Sequence, residues 1–225
     1  MVSAFSGERR AARAAVRDAR SGAGPTLEGF EPGSHPGAAA TFTLFGEVLT
    51  TGLLMALVAL PVVTLPIALA SGIRHLRRFI AAEDSRVAFF WADVRAGLLR
   101  SLGIGISVTI LALVLAADIE LANSGALPGG AIIVVVGWVG LLVLTVALLV
   151  AAGEWEPKRG WRAAFRAVPR IVRADVVGAL YVAATAVFVG VVTWMLAPLV
   201  IAGLGCSALA VVAIPARRIP ERRTR

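Results

Sequence analysis

The sequence VLTTGLLMALVALPVVTLPIALA, residues 48–70, decides the fold class. It contains no charged side chain, and as a helix rising 1.5 Å per residue it is long enough to cross a hydrocarbon core of about 30 Å. It also carries Pro61 and Pro66. A proline inside a helix removes one N–H donor and clashes with the carbonyl group four residues earlier. The stretch therefore predicts a membrane span that is interrupted by its prolines.

The composition of the whole chain is that of a membrane protein. Of its 225 residues, 58% are hydrophobic and 16% are charged, whereas a soluble domain is about 45–50% apolar and about 25% charged. The formal net charge of +8 would suggest nucleic-acid binding in a soluble protein. Here the arginines lie between and beside apolar runs, so they are interpreted as topology signals and no nucleic-acid partner is predicted. The abundance of Arg, Ala, Gly and Val is typical of a high-GC bacterial genome.

Further apolar runs repeat the length of a membrane span. Residues 101–117 and 121–153 are uncharged, and residues 176–216 form an uncharged run that would be about 60 Å long as one helix, which predicts two spans. A Gly- and Pro-containing turn at 123–130 and Pro198 mark the two reversals. The predicted spans are residues 46–70, 101–121, 131–152, 176–196 and 198–216, preceded by a disordered polar tail at 1–42 and followed by a basic tail at 217–225.

Two arginine-rich segments join these runs. Residues 73–100 and residues 153–175 each carry an apolar stripe at helical spacing, as in basic amphipathic helices that lie in the membrane interface. Pro169 marks a break or kink in the second segment. The predicted fold is an all-α membrane protein, a bundle of five transmembrane helices with two cytoplasmic amphipathic interfacial helices. The first stripe is Val87, Phe90, Val94 and Leu98, with Arg86, Asp93 and Arg100 off it, and the second is Trp161, Phe165, Val168 and Val172.

The distribution of basic residues predicts the orientation. Residues 71–100 and 153–175 carry six basic residues each and the C-terminal tail carries five, whereas the turns carry none. Both basic loops and the C-terminus are therefore expected in the cytoplasm of a bacterium, with the chain in its inner membrane. Five spans would place residues 1–42, with five arginines, outside. The alternative is that the interrupted first segment is re-entrant and leaves this tail inside.

Three acidic residues near the ends of spans are candidates for a site. Glu47, Asp118 and Glu120 are expected at the outer face in the five-span topology, where they could form a cation, proton or sugar-hydroxyl site. The alternative is that all three carboxylates are hydrated in the headgroup region.

The interruption of the first span is the second candidate. Interrupted helices mark substrate sites in several carrier folds, because unwound backbone there can coordinate a ligand. Pro61, Thr64 and Pro66 are the residues expected in such a pathway. The alternative is a kink whose carbonyl groups are covered by threonine hydroxyls or by neighbouring helices.

No arrangement typical of catalysis occurs in the sequence. There is no phosphate-binding loop or nucleophile elbow, and His35 and His75 have no second ligand that would indicate a metal. Cys206, the single cysteine, lacks a charged activating neighbour. We therefore predict no enzyme activity, no cofactor and no metal site.

The order of features from about residue 45 to 113 resembles the YesL-like family of bacterial integral membrane proteins. The resemblance rests on LLMALVALPVVTLPIALASGIRHLRRF (53–79) and EDSRVAFFWADVRAGLLRSLGIG (83–105). The shared order of features is a span that contains Leu-Pro-Val-Val-Thr, followed by small residues, a basic segment and an aromatic-rich helix. Members of this family often have an Asn where this chain has Gly52. The resemblance implies no known reaction and only a loose link to sugar transport.

Two functions follow from these observations. The first is a non-enzymatic accessory or regulatory component of the inner membrane, linked to carbohydrate uptake. The alternative is a small transporter or channel that uses the proline-broken first span. The expected partners are membrane lipids, with anionic headgroups at the arginine-rich loops, and a membrane transporter.

Overall fold

The protein is all-helical and polytopic in the part of the chain that its computed structural model describes, which is residues 38–81, 83, 85–125 and 129–216. Residues 1–37 of the predicted N-terminal tail and the predicted C-terminal tail lie outside this part, which contains no strand. The helices are α1 (Ala38–Ala59), α2 (Leu65–Ile80), α3 (Val87–Asn123), α4 (Gly130–Glu154), α5 (Gly160–Ala174), α6 (Val176–Met195), a 3-10 turn (Ala197–Leu199) and α7 (Val200–Ala216).

Among the described residues, four helical segments are long and apolar enough to cross a membrane. They include the helices that cover the segments predicted as the second to fifth spans. The described part of the first predicted span yields only a shorter apolar helix, Thr43–Ala59, so the count of five is not confirmed. The four segments are Val87–Asn123, Gly130–Glu154, Val176–Met195 and Ala197–Pro215.

Residues 46–70 do not form one continuous helix, in agreement with the interruption that the prolines predict. Helix α1 ends at Ala59, before Pro61, and α2 begins at Leu65. The carboxylate of Glu47 lies 2.6 Å from Nε2 of His75, which is 28 residues further along the chain. In a straight helix those residues would be about 42 Å apart. The chain therefore reverses between α1 and α2, which is the geometry of the re-entrant alternative.

The register of this α1–α2 hairpin follows from two contacts. Glu47 pairs with His75, and Thr64 donates its hydroxyl proton to the carbonyl oxygen of Val58. In each contact the two residues lie at equal distances in sequence from residue 61, which is therefore the middle of the turn. The same register places Thr51 on α1 opposite Ser71 on α2, one turn deeper than the Glu47–His75 pair.

Helix α2 is the centre of the packing. Nearly every side chain from Pro66 to Leu76 is buried, and α2 contacts α3, α4 and α7. Small residues allow this close approach, as is common between helices in lipid. A Cβ atom at Gly72 would overlap the side chain of Met55 on α1, and one at Gly105 on α3 would overlap the carbonyl oxygen of Val63.

The first predicted interfacial helix is not a separate element. Helix α3 runs without interruption for 37 residues, about 55 Å, and joins that segment to the second predicted span. The boundary expected near Ser101 was based on charge, and the chain has no proline there that would end a helix. A buried stripe continues along this helix through Phe90, Val94, Gly97, Ser101 and Gly105.

The second predicted amphipathic helix is confirmed as α5. Its buried residues are Trp161 and Ala164, and its arginines are exposed to solvent. The helix begins at Gly160, whose φ of +70° suits glycine. Of the break or kink predicted at Pro169, the break does not occur, because the helix continues past this residue to Ala174. The exposed arginines are Arg162, Arg166, Arg170 and Arg173.

Candidate functional site at the arginine-rich end of the bundle

A buried carboxylate joins α2 to α3 at the arginine-rich end of the bundle. Oδ2 of Asp93 accepts hydrogen bonds from Nε of Arg74 at 3.2 Å and from a terminal nitrogen of Arg78 at 2.7 Å. The side chain of Asp93 is only 10% exposed, and those of the two arginines are 20–25% exposed. Removing one partner from such a pair leaves an uncompensated charge that is largely out of water. The cluster therefore holds α2 against α3.

The prediction that Asp93 lies off the buried stripe of α3 is wrong. Asp93 follows Phe90 by three residues and precedes Gly97 by four, and both spacings place side chains on one face of a helix. All three residues are buried. That spacing is the signal that would have identified the site from the sequence.

His75 and Glu47 form the second pair of this region. The His75 side chain is fully buried, and its ring packs edge-on against that of Phe90 with centroids 6.3 Å apart. Glu47 is 24% exposed. An ionised carboxylate only accepts hydrogen bonds, so Nε2 of His75 is then the donor. Nδ1 of the same ring has no hydrogen-bond partner among the described residues.

The hairpin interface contains two more buried polar groups. The hydroxyl groups of Thr51 and Ser71 are inaccessible and have no hydrogen-bond partner within the described part of the chain. Buried polar groups in proteins are nearly always hydrogen-bonded, so such groups are unusual. Together with the Glu47–His75 pair they form a polar seam, defined here as Glu47, Thr51, Ser71 and His75. Of these four residues, the sequence-based candidates included only Glu47.

The interruption between α1 and α2 has a structural explanation. Pro61 is exposed and follows the end of α1, and Pro66 is buried in the first turn of α2, where no N–H donor is needed. Thr64 covers the carbonyl oxygen of Val58. The geometry thus corresponds to the alternative in which a threonine hydroxyl covers a freed carbonyl group. Val62 adopts a φ of +38°, which is strained for a β-branched residue.

The three predicted acidic residues do not come together. Glu47 contacts His75 at the arginine-rich end, whereas Asp118 and Glu120 are exposed near the opposite end of α3. Asp118 follows Asp93 by 25 residues, about 37 Å along the helix. The expectation that all three share the outer face is wrong, because it assumed that α1 and α2 were one span.

Aromatic rings and arginines fasten the loop before α5 to the bundle. The indole N–H of Trp161 donates to the hydroxyl of Ser101 at 2.6 Å, and a terminal nitrogen of Arg100 donates to the carbonyl of Pro157 at 3.2 Å. The guanidinium of Arg74 lies 5.9 Å from the ring centroid of Trp155. At this end of the molecule, cations, aromatic rings and carbonyl groups therefore pack together in one layer.

A groove opens beside this layer, among the ends of α2, α4, α5, α6 and α7. Its volume is about 390 Å³, and the charged residues that line it in the described part of the chain are Arg77, Glu154 and Asp175. Arg77 donates to the carbonyl of Gly153 at 3.0 Å. Asp175 accepts a hydrogen bond from the N–H of Gly178 at 2.8 Å and so caps α6.

The described residues contain no group of three His, Cys, Asp or Glu side chains that could hold a metal ion. No family model, curated protein or solved structure matches the chain.

Proposed function

We propose that this chain is a multi-pass protein of the bacterial inner membrane with four spans and a re-entrant α1–α2 hairpin. Four helical segments have the length and apolar composition of spans, and α2 returns to the arginine-bearing end from which α1 starts. An even number of crossings puts both termini on one side. By the arginines of the two basic loops and of the C-terminal tail that side is the cytoplasm, so the N-terminal tail would lie there as well.

Within that membrane the protein acts as a non-enzymatic accessory or regulatory component. One observation carries this proposal: charged groups at the arginine-rich end of the bundle fasten α1, α2 and α3 together. Asp93 accepts hydrogen bonds from two arginines, and the buried ring of His75 contacts Glu47 and Phe90. The link to carbohydrate uptake rests on the resemblance to the YesL-like family alone.

The second candidate function is a small transporter, and the polar seam favours it. Thr51, Ser71 and His75 bury polar atoms that have no protein partner in the described part of the chain, as expected of groups that meet a ligand or water. The proline break and the distant acids Asp118 and Glu120 do not join this seam. A transport pathway would therefore use the seam in place of the residues expected from the sequence.

Affinity purification from native membranes, combined with flux in proteoliposomes, separates the two functions. An accessory component is expected to co-purify stoichiometrically with a membrane protein and to show no flux of sugars or monovalent cations alone. A flux that His75→Ala abolishes, while Asp118→Asn leaves it intact, would establish the transporter and overturn the accessory role.

A further inference from the structure

The hydroxyl groups of Thr51 and Ser71 differ from other hydroxyl groups in the helices of this chain. A serine or threonine inside a helix can donate to the carbonyl group four residues earlier. Thr50, Ser107 and Thr145 do so, at 2.8–2.9 Å. Thr51 and Ser71 are fully buried, and neither hydroxyl has a hydrogen-bond partner among the described residues. Both hydroxyl groups of the polar seam are therefore available to a further group in the α1–α2 interface.

His75 is the residue of the seam that can supply such a group. Ser71 precedes it by four residues on α2, and the side chains of a helix lean towards its N-terminus, which directs the imidazole ring towards Ser71. The ring is fully buried, and its Nε2 atom lies 2.6 Å from the carboxylate of Glu47. Nδ1 has no hydrogen-bond partner within the described part of the chain. One ring nitrogen and two hydroxyl groups of the seam thus lack partners.

Glu47 is the charged residue that contacts the ring of His75. Its side chain is 24% exposed, so the seam reaches solvent at the arginine-rich end. The carboxylate of Asp93 on α3 is instead bonded by two arginines of α2. The other charged side chains at this end of α2, α3 and α4 in the described part of the chain include Arg74, Arg77, Arg78 and Glu154, and helix α7 has none. The Glu47 carboxylate is therefore the counter-charge in contact with the ring.

We propose that the polar seam is a proton-binding site, in which Nδ1 of His75 takes up the proton. One N–H bond forms at Nδ1, an O–H bond of a hydronium ion from the aqueous phase at the arginine-rich end breaks, and the ring gains one positive charge. The imidazolium donates through Nε2 to the carboxylate of Glu47 and through Nδ1 to the hydroxyl of Ser71, which donates in turn to the hydroxyl of Thr51. Imidazole suits this role because it changes charge between about pH 5 and 8.

Proton uptake changes how α1 is held against α2. With a neutral ring, the seam joins the two helices through the Glu47–His75 hydrogen bond. With a charged ring, that hydrogen bond becomes an ion pair, and a second connection forms one turn deeper, from Ser71 to Thr51. The site therefore couples the contact between α1 and α2 to the proton concentration at the arginine-rich end. It goes beyond the proposed function and is compatible with an accessory component and with a transporter.

Nitrogen-15 NMR of the full chain in lipid bilayers tests the site. The sequence has two histidines, so a His35→Gln variant reports on His75 alone. Ring nitrogen shifts distinguish a bare nitrogen from one that carries hydrogen. We expect hydrogen on Nε2 alone at about pH 8 and on both nitrogens at about pH 5.

Substitutions in the same background test the two partners of the ring. Ser71→Ala is expected to weaken proton binding about tenfold, because it removes the acceptor of a charged N–H group. Glu47→Gln is expected to weaken it at least as much, because the counter-charge is lost. Ser107→Ala is the matched control, since its exposed hydroxyl bonds to its own helix, and it is expected to leave the titration unchanged.

Three results overturn the proposal. They are a ring that keeps one bare nitrogen at about pH 5, a neutral ring that carries its hydrogen on Nδ1, and equal titrations of Ser71→Ala and Ser107→Ala. Each leaves the proposed function intact. Failure of the wild type to fractionate with membranes would refute the proposed function, whereas the titration of His75 can still be measured in detergent.

Discussion

Replacing Asp93 by Asn removes the carboxylate on which Arg74 and Arg78 converge. The substitution keeps the shape of the side chain but leaves two arginines, one helical turn apart on α2, without their shared counter-charge. Breaking a buried charge pair costs about 3–5 kcal/mol. Because the arginine side chains remain 20–25% exposed, part of that loss is recovered by water, and we expect a cost of about 2–3 kcal/mol. For a chain of this size, that corresponds to a fall in Tm of roughly 4–12 °C.

The assay is thermal unfolding of the purified protein in a mild detergent. Unfolding is monitored as the loss of the monodisperse peak in size-exclusion chromatography. Asp118→Asn is the matched control, because it makes the same chemical change at an exposed position on the same helix. We expect the control to stay within about 0.5 kcal/mol of the wild type. Equal Tm values for the two variants would refute the view that the Asp93 cluster fastens α2 to α3.

Further predictions concern the hairpin and its packing, each measured by Tm in the same detergent. Gly52→Ala is expected to cost about 1–3 kcal/mol, because its Cβ would overlap a carbonyl oxygen of α7, whereas Gly103→Ala, with no neighbouring atom, is expected to be neutral or stabilising. Equal effects would contradict the close contact of α1 with α7. Val62→Gly is expected to gain about 1 kcal/mol by relieving its positive φ, and a loss of stability would show that the turn has another geometry. Thr51→Val and Ser71→Ala are expected to be neutral or stabilising, because each removes an unpartnered buried hydroxyl group. A loss above about 1 kcal/mol would instead reveal a bound ligand or water.

Sequence patterns predicted the parts of the fold that depend on apolar length and charge. The uncharged runs in α4 and α6 are as long as a membrane is thick, and α5 alternates arginines with an apolar stripe at helical spacing. Both signals are local, so one sequence is enough to read them. The all-helical fold and the second amphipathic helix follow from them.

The sequence offers the hairpin only as the re-entrant alternative, because apolar length alone does not distinguish one long span from two helices that fold back. The prolines indicated an interruption, but they did not indicate its angle. The deciding contact, between Glu47 and His75, joins residues 28 positions apart and leaves no periodic pattern. A single span over residues 46–70 places Glu47 at the end opposite to His75 and so hides the polar seam.

The separation of residues 43 and 80 tests the hairpin most directly. Both side chains are exposed, and spin labels can be attached in a Thr43→Cys, Ile80→Cys, Cys206→Ala variant reconstituted in lipid. If α1 and α2 pack side by side, with axes about 10 Å apart, pulsed electron paramagnetic resonance should give a distance below about 30 Å, label linkers included. A single straight span would separate the two positions by about 55 Å, and a distance near that value would contradict the hairpin and the four-span topology built on it.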